Sequence, residues 1–180
     1  AGRIIIDGRE ITGVGRHDVG RAGLARTFQV AEIFPRLSAI DNVVVGLVRP
    51  PFRRLAPLLR AWRRSSRRRE ALAILARVGL ADRADAPAGL LPLGAQKRVE
   101  IARALAGRPR LLLLDEPLGG LSDAEARPMS ALITTLRDDG LTVVLMEHRM
   151  EAAMDLADRM VVLDRGTVIA SGVPERVRSD

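Results

Sequence analysis

A run of four leucines followed by two carboxylates constrains this chain more than any other feature. Leu111 to Leu114 is followed directly by Asp115, Glu116 and Pro117. Four consecutive apolar residues predict a strand that is buried on both faces of a parallel sheet, and ligands of such sheets bind at the carboxyl ends of the strands. The pattern therefore favours a metal-binding aspartate beside a water-activating glutamate. The alternative is a buried strand that ends in a solvated turn.

The composition predicts one globular domain with a substantial core. Of the 180 residues 47% are hydrophobic, and the absence of cysteine excludes disulfide bonds and thiolate chemistry. No apolar run approaches the roughly 20 residues of a membrane span, and the N-terminus lacks a signal-peptide pattern. Any membrane role is expected to come through a partner.

The net charge of +7 comes from one arginine-rich segment. Nine arginines and a single acid lie between Arg49 and Glu70. Such a segment could bind nucleic acid or anionic lipid headgroups. A solvated helical face is the favoured interpretation, because no aromatic side chains are interleaved for base stacking. Nucleic acid is therefore not an expected partner.

The chain contains no phosphate-binding P-loop. Such a loop needs Gly-Lys-Ser/Thr, because backbone N–H groups wrap the phosphates while the lysine reaches the outer ones. The single lysine, Lys97, follows a glutamine. The predicted first strand begins almost at Ala1, and a natural domain seldom starts so abruptly. We therefore expect an N-terminally truncated domain.

Local patterns predict the order of helices and strands. The first half is predicted to contain a hairpin at 3–11, a short helix within 13–23, a strand at 24–29 that delivers Gln29 to a loop, and helices at 38–49, 52–79 and 94–106. Strands at 111–114 and 141–146 follow, on either side of a helix capped by Ser122 and Glu125. The chain then continues with a helix at 150–157, strands at 160–163 and 167–171 that finish the sheet, and a last helix from Pro174. Two strands separated by one capped helix form a βαβ unit and run parallel.

Two further features point to a site at one edge of the sheet. Glu147 and His148 follow the strand at 141–146, so they should lie at the same edge as Asp115 and Glu116. A histidine beside an acidic pair is a site candidate, although a lone histidine is more often structural. Gly94 begins a helix, where a phosphate could approach free N–H groups; the alternative is a tight turn.

The ordered set of motifs resembles the nucleotide-binding domain of ABC transporters over nearly the whole chain. The resemblance assigns Gln29 to the Q-loop, Asp115 and Glu116 to Walker B, and His148 to the switch histidine. It also assigns a signature loop and a D-loop. Those loops comprise Leu91, Pro92, Leu93, Gly94, Ala95 and Gln96, and Leu121, Ser122 and Asp123, respectively.

The resemblance implies an α/β, P-loop NTPase-like fold with a mainly parallel sheet that lacks the N-terminal strands and the P-loop. It implies a helical subdomain at 38–105, inserted into a RecA-like core at 1–37 and 106–180. The implied cofactors are ATP and Mg²⁺, with Asp115 and Gln29 as metal ligands and Glu116 and His148 as catalytic residues. The implied setting is the inner face of the cell membrane, in a head-to-tail dimer bound to permease subunits and indirectly to an external substrate-binding protein.

Segments such as Arg98 to Arg103 are similar to the ATPases of branched-chain amino acid importers, and importers of urea or short amides share them. The signature loop departs from the usual Leu-Ser-Gly-Gly-Gln, because Pro92, Leu93 and Ala95 replace the serine, the first glycine and the glutamine. The larger departure is the missing P-loop, or Walker A, and for that reason we expect a parent ATPase but no ATP binding or hydrolysis by this chain alone. Alternatives are a non-catalytic remnant or regulatory fragment, and a nucleic-acid-binding ATPase of the same fold, which only the arginine-rich segment suggests.

Overall fold

The structure is a computed structural model that describes residues 2–29, 31–48 and 66–179. It combines helices and strands in an α/β arrangement. In chain order they are β1 (Ile5–Ile6), β2 (Arg9–Glu10), α1 (Arg16–Arg21), β3 (Leu24–Arg26), α2 (Ala39–Val48), α3 (Ser66–Arg77), α4 (Leu93–Leu105), β4 (Leu111–Asp115), α5 (Asp123–Asp138), β5 (Thr142–Met146), α6 (Met150–Leu156), β6 (Met160–Asp164), β7 (Thr167–Gly172) and α7 (Pro174–Ser179).

A three-stranded parallel sheet in the order β3, β4, β5 lies beneath the predicted site. Leu111 pairs with Leu24 on one side and with Thr142 on the other, which confirms the parallel βαβ prediction. All three strands therefore end at one edge of the sheet. The polar residues that follow them are brought to that edge by the topology.

Strand β4 is fully buried on one face only. Leu112 and Leu114 are completely buried among core residues of α4 and α5, whereas Leu111 and Leu113 are half-buried. On β5, Val144 of the second face is 45% exposed. The predicted burial on both faces is therefore wrong for the described residues, because the core helices pack on one side of the sheet.

The last two strands do not extend the parallel sheet, contrary to the prediction. They pair with each other in an antiparallel hairpin whose turn residues Arg165 and Gly166 have the positive φ values of 47° and 81° that a type I′ turn requires. Met160 at the base of this hairpin packs with Ala153 and Val177 in a small separate cluster. The predicted N-terminal hairpin is confirmed as an equally separate pair, β1 with β2.

Helices α2, α3 and α4 contact one another and share one continuous core with β4. Helix α2 begins as predicted, with the Asp41 N–H donating to Ser38 Oγ at 3.2 Å. Gly79 follows α3 in a left-handed conformation, with φ of 68°, as glycine commonly does after the end of a helix. Positions 52–65 of the helical stretch predicted over 52–79, and most of the arginine-rich segment, lie outside the described residues.

No helix among the described residues combines the length and the apolar character needed to cross a membrane.

Candidate functional site

The carboxyl ends of the three parallel strands bring four predicted site residues to one edge. Gln29 lies three residues beyond β3, Asp115 is the last residue of β4, Glu116 follows it, and His148 lies two residues beyond β5. Glu116 is at the centre of this group. Its Oε2 accepts a 2.9 Å hydrogen bond from Gln29 Nε2, and its Oε1 lies 3.8 Å from His148 Nδ1.

Glu116 leaves the strand in a left-handed conformation, with φ of 46°. Such a conformation is uncommon for a residue other than glycine and is maintained by the surrounding contacts. The Glu116 N–H donates to Met146 O at 2.9 Å, which extends the β4–β5 pairing by one residue beyond the strand. The side chain is 32% exposed, so a carboxylate at this position remains accessible to solvent.

Asp115 has a partner that the sequence pattern did not reveal. Arg26, the last residue of β3, donates to Asp115 Oδ2 at 2.9 Å, and its guanidinium lies over the Phe28 ring at 5.1 Å. The ion pair could not be predicted from the sequence, because the residues around Arg26 do not indicate which strand will lie next to it. The carboxylate of Asp115 thus forms an ion pair with an arginine that precedes it by 89 residues in the sequence.

The turn after Glu116 is held by two charged side chains. Lys97 of α4 donates from Nζ to the carbonyls of Glu116 and Gly119 at 2.7 and 2.8 Å. Glu147 accepts the Leu118 N–H at 2.8 Å, through Oε1. Sequence reasoning did not include Lys97 among the site residues, although a single lysine in an arginine-rich chain was a usable signal.

Burial shifts the acid–base properties of two side chains on α4. Desolvation lowers the pKa of Lys97, and the carboxylates of Glu147, Glu100 and Glu116 oppose that shift. Desolvation also raises the pKa of Glu100, although hydrogen bonds from the backbone of Phe28 and Glu32 act in the opposite direction. The charged form of each side chain is therefore destabilised by desolvation, and its hydrogen bonds offset part of that free-energy cost.

The predicted signature loop surrounds the N-terminus of α4. Leu91 and Ala95 are buried, Pro92 is the N-cap residue, and Leu93 is 41% exposed. Gln96 bends back to donate from Nε2 to Leu91 O at 2.7 Å.

The N–H of Gly94 is not free to bind a phosphate, contrary to the expectation from the sequence. This N–H donates to Glu125 Oε1 at 3.3 Å, and a Cβ at Gly94 would lie 3.2 Å from Glu125 Cβ. The glycine therefore permits close packing of α4 against α5 in this structure.

The predicted D-loop residues connect β4 to α5. Leu121 is buried, and Ser122 is the N-cap residue of the predicted capping box, with Ser122 Oγ 2.8 Å from Glu125 Oε2. The Ser122 hydroxyl, with backbone N–H groups, holds the pKa of Glu125 below its ordinary range. Asp123 begins α5 and accepts a 3.2 Å hydrogen bond from Arg149.

The donor atoms at the sheet edge fit Mg²⁺ only as a partial ligand set. No group of three or more histidine and acidic side chains in the described parts of the chain could hold a metal ion. Asp115 and Gln29 nevertheless supply the carboxylate and amide oxygens that Mg²⁺ accepts, and this ion commonly completes its shell with phosphate oxygens and water. A metal at this edge would therefore need further oxygen ligands besides these two side chains.

Comparison with known proteins gives the chain its family. The ABC transporter family model matches residues 1–119. The high-affinity branched-chain amino acid transport ATP-binding protein BraF of Pseudomonas aeruginosa is 40% identical over 99% of this chain and 72% of its own length. LivG of Escherichia coli, which has the same description, is 33% identical over 99% of this chain and 72% of its own length.

A solved structure has the same fold. The dimeric post-hydrolysis state of an ATP-binding cassette bound to ADP and Pi superposes with a TM-score of 0.77 at 26% identity, over 97% of this chain and 74% of the other. The sheet, the ordered site residues and these matches agree. The chain belongs to the ABC transporter family, as an ATPase domain similar to those of branched-chain amino acid transport systems.

Proposed function

We propose that the protein to which these 180 residues contribute hydrolyses ATP as part of an importer for branched-chain amino acids, at the edge where Gln29, Asp115, Glu116 and His148 meet. The observation that carries the proposal is the position of Glu116. Its carboxylate lies directly beyond Asp115, bonded to Gln29 and close to His148. Such a carboxylate can orient a water molecule and accept its proton during attack on a phosphoryl group.

Each residue has a defined role in this proposal. Asp115 and Gln29 would hold Mg²⁺, which would neutralise charge on the nucleotide phosphates when bound. Glu116 takes the proton from the attacking water, and Gln29 keeps its carboxylate in place. His148, whose Nδ1 lies 3.8 Å from Glu116 Oε1, would contact the terminal phosphate. Several groups would thereby stabilise the negative charge of that phosphate.

The proposed assembly is a head-to-tail dimer on the cytoplasmic face of the membrane. In it, Leu91–Gln96 and Leu121–Asp123 of one subunit face the nucleotide of the other, and residues 38–105 form the helical subdomain that contacts the permease. The dimeric cassette with ADP and Pi supports the first part. The names of BraF and LivG support the substrate class. An external substrate-binding protein would deliver the amino acid to the permease.

The 180 residues contain no Gly-Lys-Ser/Thr sequence. We therefore propose that tight ATP binding needs a phosphate-binding loop in addition to these residues. Experiments on turnover accordingly use an extended protein that adds such a loop ahead of Ala1.

Uptake measurements test the substrate class. The extended protein is reconstituted with candidate permease subunits in vesicles, and ATP-dependent uptake of labelled leucine, isoleucine and urea is compared. The proposal expects uptake of the two amino acids and none of urea. Uptake of urea alone would assign the chain to amide import, and ATP binding without any turnover would identify a non-catalytic remnant.

A further inference from the structure

Helix α4 carries two buried charged side chains on one face. Lys97 is 5% exposed and Glu100 is 3% exposed, and their spacing of three residues places them on the same side of the helix. Each is bonded to the backbone of a different loop of the site. Lys97 Nζ contacts the carbonyls of Glu116 and Gly119, and Glu100 Oε1 accepts the Phe28 N–H at 3.2 Å.

Those two loops carry the residues at the centre of the site. Phe28 directly precedes Gln29, and the Lys97 contacts span the turn that begins at Glu116. A 2.9 Å hydrogen bond then joins Gln29 to Glu116. One helix therefore fixes both ends of the hydrogen bond that defines the site.

Core packing alone does not account for these charges. Burying an ammonium or a carboxylate is costly unless hydrogen bonds compensate, and apolar side chains of similar volume generally fill a core as well or better. The compensation at Lys97 consists of bonds to a turn that starts in the left-handed conformation of Glu116. The opposite side of this turn is held by Glu147, which accepts the Leu118 N–H.

We propose that Lys97 and Glu100 are positioning residues that transmit the location of α4 to Glu116 and Gln29. The helix that begins with the signature loop would then set the geometry of the water-activating carboxylate in its own subunit. This inference rests on the proposed function for the roles of Glu116 and Gln29. The contacts themselves are independent of that function.

Hydrogen exchange of the nucleotide-free 180-residue chain tests the contacts directly. Lys97→Met keeps the length of the side chain and removes the ammonium group. We expect exchange of the amides in 116–121 to accelerate by about tenfold or more, because two charge-assisted hydrogen bonds are lost. Lys97→Arg should restore most of the protection. Glu100→Leu should accelerate exchange in 27–29 and leave 116–121 less affected.

Val99→Ala is the matched control, because Val99 is fully buried on the same helix. It should lower stability and accelerate exchange broadly across the core, without selecting the turn. If Lys97→Met does not fold, Lys97→Gln is measured instead, since its shorter amide keeps a donor and should give an intermediate effect. Unchanged exchange in 116–121 for the folded Lys97 variant, or equal selectivity in Val99→Ala, would overturn the proposal.

Kinetics in the extended protein provide the second measurement. A misplaced Glu116 should lower kcat for ATP by about tenfold to a hundredfold in Lys97→Met while KM remains unchanged, and Lys97→Arg should recover activity. A rise in KM with unchanged kcat would contradict positioning. If Glu116→Gln itself leaves turnover intact, the proposed function fails, while the exchange measurement still decides whether Lys97 and Glu100 hold the two loops.

Discussion

The side-chain amide of Gln29 donates a 2.9 Å hydrogen bond to Oε2 of Glu116, a residue 87 positions further along the chain. An amide group carries both donor hydrogens and an acceptor oxygen. Gln29 can therefore hold Glu116 with its nitrogen and offer its oxygen to a cation at the same time. Gln29 would thus connect the proposed metal site with the proposed base, Glu116.

Glu116→Gln in the extended protein should separate hydrolysis from binding. Glutamine keeps the size and the acceptor oxygen but loses the basic carboxylate. ATP hydrolysis should fall by about a hundredfold to ten-thousandfold, while ATP binding persists and a closed dimer accumulates. Phosphate release, nucleotide affinity and dimer mass are the measurements. Turnover at close to the unsubstituted rate would remove Glu116 from the mechanism.

Asp115→Asn should weaken Mg²⁺-dependent nucleotide binding, because the proposed metal ligand loses its charge. The substitution also breaks the 2.9 Å ion pair with Arg26. Arg26→Met breaks the same pair and retains the carboxylate, so it is the matched control. Titration of ATP affinity against Mg²⁺ should show a loss for Asp115→Asn only. An equal loss in both variants would assign the effect to the ion pair.

The 180-residue chain by itself should bind ATP no more tightly than about millimolar, because Asp115 and Gln29 would contact only the metal. Isothermal calorimetry with Mg²⁺ and ATP measures this directly. The extended protein with a Gly-Lys-Ser/Thr loop provides the comparison and should bind more tightly. Micromolar affinity of the 180-residue chain would show that the described site suffices for nucleotide binding.

Glu100→Gln should make stability less dependent on pH above pH 4.5. Burial raises the pKa of Glu100 above its ordinary value of 4.5, so the folded chain holds this proton more tightly than the unfolded chain. Stability from this group is complete below pH 4.5 and is lost as pH rises through the folded pKa. Glutamine has no such proton and keeps an acceptor for the Phe28 N–H.

The stability advantage of Glu100→Gln over the unsubstituted chain should therefore grow with pH across that interval and then level off. Urea unfolding at a series of pH values gives the difference between the two proteins. Glu70→Gln is a surface control, because Glu70 forms an exposed ion pair with Arg108. If the difference in the free energy of unfolding between Glu100→Gln and the unsubstituted chain stays constant with pH, Glu100 does not titrate in this range.

Gly46→Ala should destabilise the packing of α2 against α4. A Cβ at Gly46 would lie 2.5 Å from Arg103 O, so the two helices would have to separate. We expect a loss of about 1–3 kcal/mol in the free energy of unfolding. Gly15→Ala is the control, because Gly15 has φ of −64° and its Cβ would approach Asp18 no closer than 4.0 Å. Denaturant unfolding should show little change or a small gain for the control.

Local chemistry predicted the site where the chain itself determines the geometry. The predicted βαβ unit placed Asp115, Glu116 and His148 at one edge, because parallel strands end at the same side of a sheet. Gln29 was assigned to the site only by the family resemblance. The capping box of Ser122 and Glu125 was equally readable, since all its hydrogen bonds form within four residues.

Contacts between distant segments were not readable in this way. The ion pair of Arg26 with Asp115 depends on which strands become neighbours, and the bonds of Lys97 depend on how α4 lies against the turn after β4. The use of the Gly94 N–H by Glu125 likewise depends on the approach of α5 to α4. Strands β6 and β7 were predicted at the right positions but wrongly placed in the main sheet, because an apolar strand pattern does not specify its pairing partner.

Pairing of β3 with β4 also affects the order in which the chain folds. The Arg26–Asp115 ion pair at the end of this ladder closes a loop of 89 positions, and α2, α3 and α4 all lie inside that loop. Closing a long loop costs entropy before its contacts form, so parallel pairing of this kind is intrinsically slow. Packing of α2 against α4 shortens the effective loop. We therefore expect the helices to associate first, and the edge that carries Glu116 to be among the last parts of the molecule to form.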